Sequence, residues 1–348
     1  MNKILLNDIT DLVNTTDYGN TFDEKTILIT GANGLIAKYL ALYLLMYNKL
    51  KNTNIKVLAL VRNKNKLTDF EDFLEDDHLE FLYQDVCDPI DYPKAVDYIF
   101  HAASNASAYA IRTDPIGIIK ANVLGTINVL EFAKEKNIQK IVFPSTREIY
   151  GKVEGLTTIK ETDMGTLDPL DSRNCYPESK RMAEAIFKSY SIQYGIPFNI
   201  LRIAHTYGPT MPLASDGRVM ADFLNFAVNN EDIVLNSDGT AVRAFCYITD
   251  TIKGILTVFK NGSINEVYNL SNTTEPLMIR DLALEIVNLS GKNINLKFKD
   301  PSLEELKGYT SYKMVDMDNS KLEQLGWRPE VKLKDGLART LKYYDKEK

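Results

Sequence analysis

The 348-residue chain has only three cysteines, Cys87, Cys175 and Cys246, which lie far apart with no C-x-x-C pair. That scarcity argues against a disulfide framework and points to a reduced, cytoplasmic protein. With only three histidines as well, there is no ligand set for a zinc site, and no metal is expected. Basic residues are in deficit: 41 Lys and Arg against 47 Asp and Glu give a formal net charge of −6. A nucleic-acid footprint needs clustered positive charge, so no nucleic-acid partner is expected, while one basic pocket remains compatible with the balance. Long apolar runs are missing near the N-terminus, where the longest, residues 40–47, is too short to span a bilayer. The first residues carry Asp8 and Asp11 and no basic stretch ahead of an apolar core, so neither a signal peptide nor a membrane partner is expected.

What is present is ordinary for a globular chain, at 45% hydrophobic and 25% charged residues. Its order is more informative. Residues 1–24 are polar with scattered Ile4, Leu5, Ile9, Leu12 and Val13, and read as a short helix packed on the body or as a partner-binding arm. From Thr26 onward, β-rich runs at 26–30, 56–61, 79–83, 95–101, 140–144 and 199–203 alternate with helical stretches. The clearest helices are 35–48, 116–136 and 177–194, with a polar helical stretch between the second and third runs. This alternation predicts an α/β fold, with parallel strands and helices on both faces. After Tyr207 the rhythm loosens around Pro209, Pro212, Gly217, Gly239 and Gly262, and two helical stretches follow at 279–289 and 320–325. The expected organisation is an extension over 1–24, a Rossmann-type doubly wound parallel sheet over 25–206, and a smaller mixed α/β, mainly substrate-binding portion over 207–348.

Three local patterns carry chemistry. The first is Thr30-Gly31-Ala32-Asn33-Gly34-Leu35-Ile36-Ala37 at a strand-to-helix turn. Glycines there let the backbone turn tightly and approach a pyrophosphate, which sits at the positive helix N-terminus. The next strand ends Val61-Arg62-Asn63, placing Arg62 where an NAD site usually offers a carboxylate to the adenosine ribose. A guanidinium suits a 2′-phosphate, so NADP is favoured; the alternatives are a solvated arginine, or one stacked on the adenine of NAD. The remaining patterns are Pro144-Ser145-Thr146-Arg147-Glu148-Ile149-Tyr150-Gly151 and Tyr176-Pro177-Glu178-Ser179-Lys180. Tyr176 and Lys180, four residues apart, share a helix face. A nearby ammonium lowers a tyrosine pKa, making Tyr176 a base for a substrate hydroxyl that Thr146 holds in place.

On these residues the chain resembles the extended short-chain dehydrogenase/reductase family, the nucleotide-sugar epimerases, dehydratases and decarboxylases, over roughly residues 25–341. Further matching segments are Asp85-Val86, His101-Ala102-Ala103-Ser104, the stretch from Asn122, Leu201 to Pro209, Asp216 to Val219, and Arg243 to Asp250. The resemblance implies a catalytic set of Thr146, Tyr176 and Lys180, with Glu148 as a base at a sugar carbon. It implies a cofactor lined by Gly31, Asn33, Gly34, Leu35, Ile36, Arg62, Asp85, Val86, Ala102 and Ala103, with Tyr176 and Lys180 also touching it. Ser104, Arg147, His205, Arg218, Val219 and Arg243 would face a nucleotide-sugar substrate, Arg218 and Arg243 near its diphosphate. A homodimer is implied as well, through Ile118, Val123, Ile127, Ile186 and Tyr190 on two long helices.

Two departures shape the expected reaction. The dehydratase branch has Thr-Asp-Glu where this chain has Thr146-Arg147-Glu148, and a guanidinium does not readily donate a proton. Arg147 has the alternative of pairing with Glu148 or Glu178. His205 stands where the family usually has Asn. The expectation is therefore an NAD(P)-dependent 4-epimerase working through a transient 4-keto sugar, with a UDP-glucuronate decarboxylase-like reaction second and 4,6-dehydration third. A cofactor-binding sensor and a simple carbonyl reductase are the rivals from other classes.

Overall fold

Thr26–Thr30 is a run of Ile and Leu between threonines, buried from Ile27 onward, as a strand covered by helices on both faces requires. It is the first strand, β1, of a seven-stranded sheet in the computed structural model, which describes residues 1–64, 67–214, 216–299 and 315–345. The others are β2 (Lys56–Val61), β3 (Leu79–Tyr83), β4 (Tyr98–His101), β5 (Lys140–Thr146), β6 (Phe198–Ile203) and β7 (Glu266–Leu270). Their spatial order is β7-β6-β5-β4-β1-β2-β3, and every neighbouring pair is parallel. The order reverses between β1 and β4, so their carboxyl ends open a crevice of the kind in which such sheets bind ligands.

The helices are α1 (Lys3–Thr15), α2 (Leu35–Lys51), α3 (Ala108–Thr113), α4 (Pro115–Lys136), α5 (Cys175–Tyr194), α6 (Val219–Val228), α7 (Ile248–Asn261), α8 (Ile279–Ser290), α9 (Ser320–Glu323) and α10 (Leu333–Tyr344). Side chains alternate across β1. Ile27 and Ile29 join a core with α1, α2 and α7, while Leu28 joins a second core with Val129 and Leu130 of α4 and Phe187 of α5. This is the doubly wound Rossmann-type fold expected from the sequence.

Several boundaries differ from the sequence reading. The β5 strand runs to Thr146, so Ser145 and Thr146 belong to the strand and pair with Arg202 and Ile203 of β6. Residues 95–97 stay outside β4, where the Asp97 carboxylate instead accepts the Thr26 amide. The polar stretch after β2 forms a 3-10 helix over Thr68–Phe73. The α5 helix begins at Cys175, which puts Tyr176 inside its first turn. Residues 1–24 carry the helix α1, with Leu5, Ile9, Leu12 and Val13 buried. Its Asp8 is buried too, accepting from Tyr39 (3.3 Å), Tyr247 (2.5 Å) and Arg339 (3.1 Å). Beyond residue 207 the chain forms α6, α8 and short strand pairs, and it also returns α7 and β7 to the main sheet.

Candidate active site

The turn after β1 is built for close approach. Gly31 has φ +65°, and a Cβ there would meet Ala103 Cα at 2.8 Å, so only glycine fits. Gly34 caps α2 with no side-chain hydrogen bond to the helix, leaving first-turn amides at Leu35 and Ile36 directed at the crevice mouth. Asn33 lies in the same turn. Across the switch point, Thr30 Oγ1 accepts the Ala103 amide at 3.0 Å and lies 2.9 Å from His101 Nδ1, locking the ends of β1 and β4 together. Ala102, Ala103 and Ser104 follow β4, and Ser104 Oγ is buried without a hydrogen-bond partner. At the far side Arg62 Nη1 sits 3.4 Å from Asp85 Oδ2, and the Arg62 side chain is largely exposed. Val86 is buried against Gly125 of α4. A tight glycine turn, an uncapped helix N-terminus and an orphaned hydroxyl together fit a dinucleotide, with the pyrophosphate on α2 and the adenosine end near Arg62 and Asp85.

Thr146, at the end of β5, and Tyr176 and Lys180, on α5, converge at the inner end of that crevice. The Tyr176 hydroxyl is hydrogen-bonded to Thr146. Burial pushes its pKa up, the Glu148 carboxylate pushes it further, and the Thr146 contact pulls back. The sequence argument that Lys180 lowers this pKa is thus not met: Lys180 Nζ donates to the Pro144 carbonyl at 3.0 Å and sits 4.3 Å over the Phe143 ring. Burial draws the Lys180 pKa down to about 7, against an upward pull from Glu184 one turn along α5. His101, buried between Thr30 and Thr126 and held neutral by burial and by Lys180, has its pKa drawn down to about 3.

Around this centre lies a second layer of charge. Glu148 is gripped by Arg173, with Nη1–Oε2 at 2.9 Å and Nη2–Oε1 at 3.3 Å. Glu178 pairs with Arg181, and Arg147 instead donates to the Val315 carbonyl, so the pairing of Arg147 with Glu148 or Glu178 read from the sequence is replaced by these contacts. Arg218, just before Val219 opens α6, is bound by Asp216 through Nε and through Nη2 at 2.6 Å. Arg147, His205 and Arg243 line one pocket with Ala204, Ser271, Asp316 and Met317. His205 has φ +47°, and burial together with Arg147, Arg243 and Arg218 holds its pKa well below the usual range.

Sequence reasoning missed Arg173 and Glu184, and it named the segments holding Asp216 and Arg202 without their ion pairs to Arg218 and Glu184. Arg202 binds Glu184 at 2.7 and 3.2 Å, and Ser145 Oγ donates to the same carboxylate at 2.5 Å, which fixes β5 beside α5. Glu184 lies four residues past Lys180, a helical spacing that would have revealed it. Arg173 sits in a short 3-10 turn, Ser172–Asn174, where no spacing signals its partner.

The profile of the NAD dependent epimerase/dehydratase family matches residues 27–271. The chain belongs to this family. UDP-glucuronic acid decarboxylase 1 of Xenopus tropicalis is 32% identical over 93% of the chain and 73% of that protein. A dTDP-glucose 4,6-dehydratase from Streptomyces venezuelae, DesIV, solved with NAD and TYD bound, superposes with a TM-score of 0.78 at 25% identity, covering 92% of this chain and 97% of that one. A UDP-glucuronic acid 4-epimerase from Bacillus cereus, solved with UDP-glucuronic acid and NAD, shares the fold with a TM-score of 0.77 at 23% identity, over 92% and 98% of the two chains. The proteins it resembles thus carry different names, decarboxylase, dehydratase and epimerase, on one shared fold.

Proposed function

We propose that the protein decarboxylates a nucleotide-linked uronic acid through a transient 4-keto sugar. This puts first the reaction that the sequence reading put second, behind 4-epimerisation. The observation that carries it is the turn after β5: Thr146 and Glu148 stand beside Tyr176, and the position between them, where a dehydratase keeps an acid, holds the Arg147 guanidinium. Resemblance to UDP-glucuronic acid decarboxylases over nine-tenths of the chain supports the same reading.

The α2 turn and the β4 end would hold a nicotinamide cofactor, which would supply a reversible hydride acceptor for C4. Tyr176, oriented by Thr146, carries the C4 hydroxyl proton. Lys180 supplies an ammonium on the same helix face, and the Glu184–Arg202 pair braces the strand and helix that present these groups. In a uronic acid the C4 ketone is β to the carboxylate. The C5–C6 bond breaks, carbon dioxide leaves, and the electron pair moves onto the C4 oxygen, which Tyr176 and Thr146 hydrogen-bond. Glu148, poised by Arg173, is the nearest carboxylate for proton movement at C5, and Tyr176 returns its proton to the C4 oxygen at the end.

The test is product mass and stereochemistry after incubation with UDP-, CDP-, GDP- and dTDP-sugars, including UDP-glucuronate. A product lighter by carbon dioxide is expected. An unchanged mass with inverted C4 would make the enzyme a 4-epimerase, and loss of water a dehydratase.

A further inference from the structure

We propose that Glu184 is a positioning residue for the reaction: its carboxylate keeps Lys180 an ammonium ion and fixes Tyr176 and Lys180 in register with the end of β5. The inference goes beyond the choice of product, because every reading of the reaction begins with the C4 hydroxyl giving its proton to Tyr176.

Tyr176, Lys180 and Glu184 are spaced by four residues, so they line one face of α5. Each meets one residue at the end of β5. The Tyr176 hydroxyl is hydrogen-bonded to Thr146, Lys180 Nζ donates to the Pro144 carbonyl at 3.0 Å, and Glu184 Oε1 accepts from Ser145 Oγ at 2.5 Å. Three consecutive strand residues are thus matched to three successive turns of the helix. The Glu184 contact is the anchored one. Ser145 pairs in register with Arg202 of β6, and Arg202 binds the same carboxylate through Nε at 3.2 Å and Nη2 at 2.7 Å. Arg202 is itself held through Nη1, which donates to the Tyr150 hydroxyl at 3.0 Å and the Glu161 carbonyl at 2.7 Å. A carboxylate gripped by two nitrogens of a fixed guanidinium does not swing away from its place beside Lys180.

That place matters for charge. The groups that face Lys180 are neutral His101 of β4, the Phe143 ring and Pro144 carbonyl of β5, and Tyr176 and Glu184 one turn to either side on α5, with Arg202 of β6 beyond Glu184. Burial favours the neutral amine, and Glu184 pulls towards the ammonium. A neutral amine does not stabilise a phenolate, so a buried tyrosine that must take up and return a proton depends on which form Lys180 holds. Arg202 balances part of the Glu184 charge, so the pull on Lys180 is smaller than that of a free carboxylate.

The first test uses no substrate. Denaturant unfolding is followed against pH for two pairs of proteins: wild type with Lys180→Met, and Glu184→Gln with the double variant Glu184→Gln/Lys180→Met. The difference within each pair isolates Lys180. An amine protonated to about pH 10.4 in the unfolded chain, and to a lower pH in the folded one, adds stability as pH rises above its folded pKa. For the wild-type pair that rise begins at about pH 7. Losing the Glu184 charge lowers the folded value, so the rise in the second pair should begin at a pH about 0.5–1 lower. A brace without an electrostatic role gives the opposite sign, because loosened packing admits water to the amine and brings its pKa back up. An onset that stays or moves upward therefore overturns the proposal. If Glu184→Gln does not fold, Glu184→Gln/Arg202→Gln replaces it with the same expectation, since Glu184 is the end of the ion pair that acts on Lys180. Turnover of whichever nucleotide sugar the protein accepts gives the second test. Glu184→Gln should lower kcat with KM little changed, and should move the high-pH fall in kcat to lower pH; a loss uniform across pH overturns the assignment. The decarboxylase reading is decided separately, by whether carbon dioxide is released from UDP-glucuronate.

Discussion

Tyr176 is 7% exposed and hydrogen-bonded to Thr146, so its phenol is held in place, and burial keeps its pKa above the usual phenol range. Replacing it with Phe removes one oxygen. Turnover is expected to fall by about 10²–10⁴-fold with folding and cofactor content unchanged, as measured by single-turnover assays; near-normal rates would remove Tyr176 from the chemistry. Lys180 gives a prediction about stability. In the unfolded chain a lysine keeps its proton to about pH 10.4, whereas the buried site releases it near about 7. Between those values the unfolded state binds more protons, so stability attributable to this residue rises with pH across that window. Thermal melts of the wild type and Lys180→Met should show the wild type gaining on the variant from about pH 7 to about 10, and a constant difference would contradict the burial of a titrating amine. Arg62 bears on cofactor choice. The end of β2 offers a guanidinium, and Asp85 engages it only at 3.4 Å on an exposed surface, so it is free to turn to a 2′-phosphate. NADP is expected as the nucleotide released on denaturation, and Arg62→Ala should narrow the gap with NAD; recovery of NAD alone would show that Arg62 serves another end. Gly31, Tyr176 and Lys180 were legible because their signals are short and local. Arg173 was not, because its partner Glu148 lies across a loop.

Elements were legible where composition is strongly periodic. The sequence located β1, β2 and β3 to the residue because all are short runs bounded by turn residues. It cut β5 short at Pro144, since proline weakens a strand signal, yet Pro144 pairs in register with Leu201 and the strand continues to Thr146. That extension matters, because it makes the position of Thr146 a property of the sheet. The α1 helix shows what periodicity could not reveal. Its apolar residues suggested packing, but the buried Asp8 that joins Tyr39 of α2, Tyr247 and Arg339 of α10 gives no local signal. Asp8→Ala leaves two buried or half-buried hydroxyls and a guanidinium without their acceptor. A loss of about 2 kcal/mol, discounted for the exposure of Arg339, is expected in denaturant unfolding, with nicotinamide cofactor still bound; no change would mean that α1 is held by its apolar face alone.

For the whole molecule, the doubly wound topology followed from alternation, but the return of α7 and β7 to the main sheet did not. A strand contributed from residue 266 onward is specified by pairing with β6, a contact at long sequence separation that leaves no pattern in either segment. The same limit applies to the surface of α4 and α5. Among the residues read as dimer contacts, Ile118 is instead buried in its own chain beside Ala110, Ile111 and Tyr176, while Val123, Ile127, Ile186 and Tyr190 are half-buried. The apolar residues that this pair of helices exposes are Ile116, Ile119, Leu124, Met182, Ile192 and Tyr194. The α4 helix is long and apolar enough to cross a membrane by length and composition alone. Its inner face, however, carries Asn122, which donates to Ser179 of α5, and Thr126, which meets His101, so that face is committed to this protein's own core. An apolar outer face on two packed helices is a surface that a second copy can cover by the same face, in the two-fold arrangement commonest among oligomers. A dimer is therefore expected, and light scattering at micromolar concentration should give twice the chain mass of 39.4 kDa. The double substitution Leu124→Arg and Met182→Arg, at exposed positions on α4 and α5, should return the mass to that of one chain without lowering cofactor content. A wild type that is already monomeric would leave this face without its proposed partner, and a double variant that stays dimeric would move the interface elsewhere on the surface.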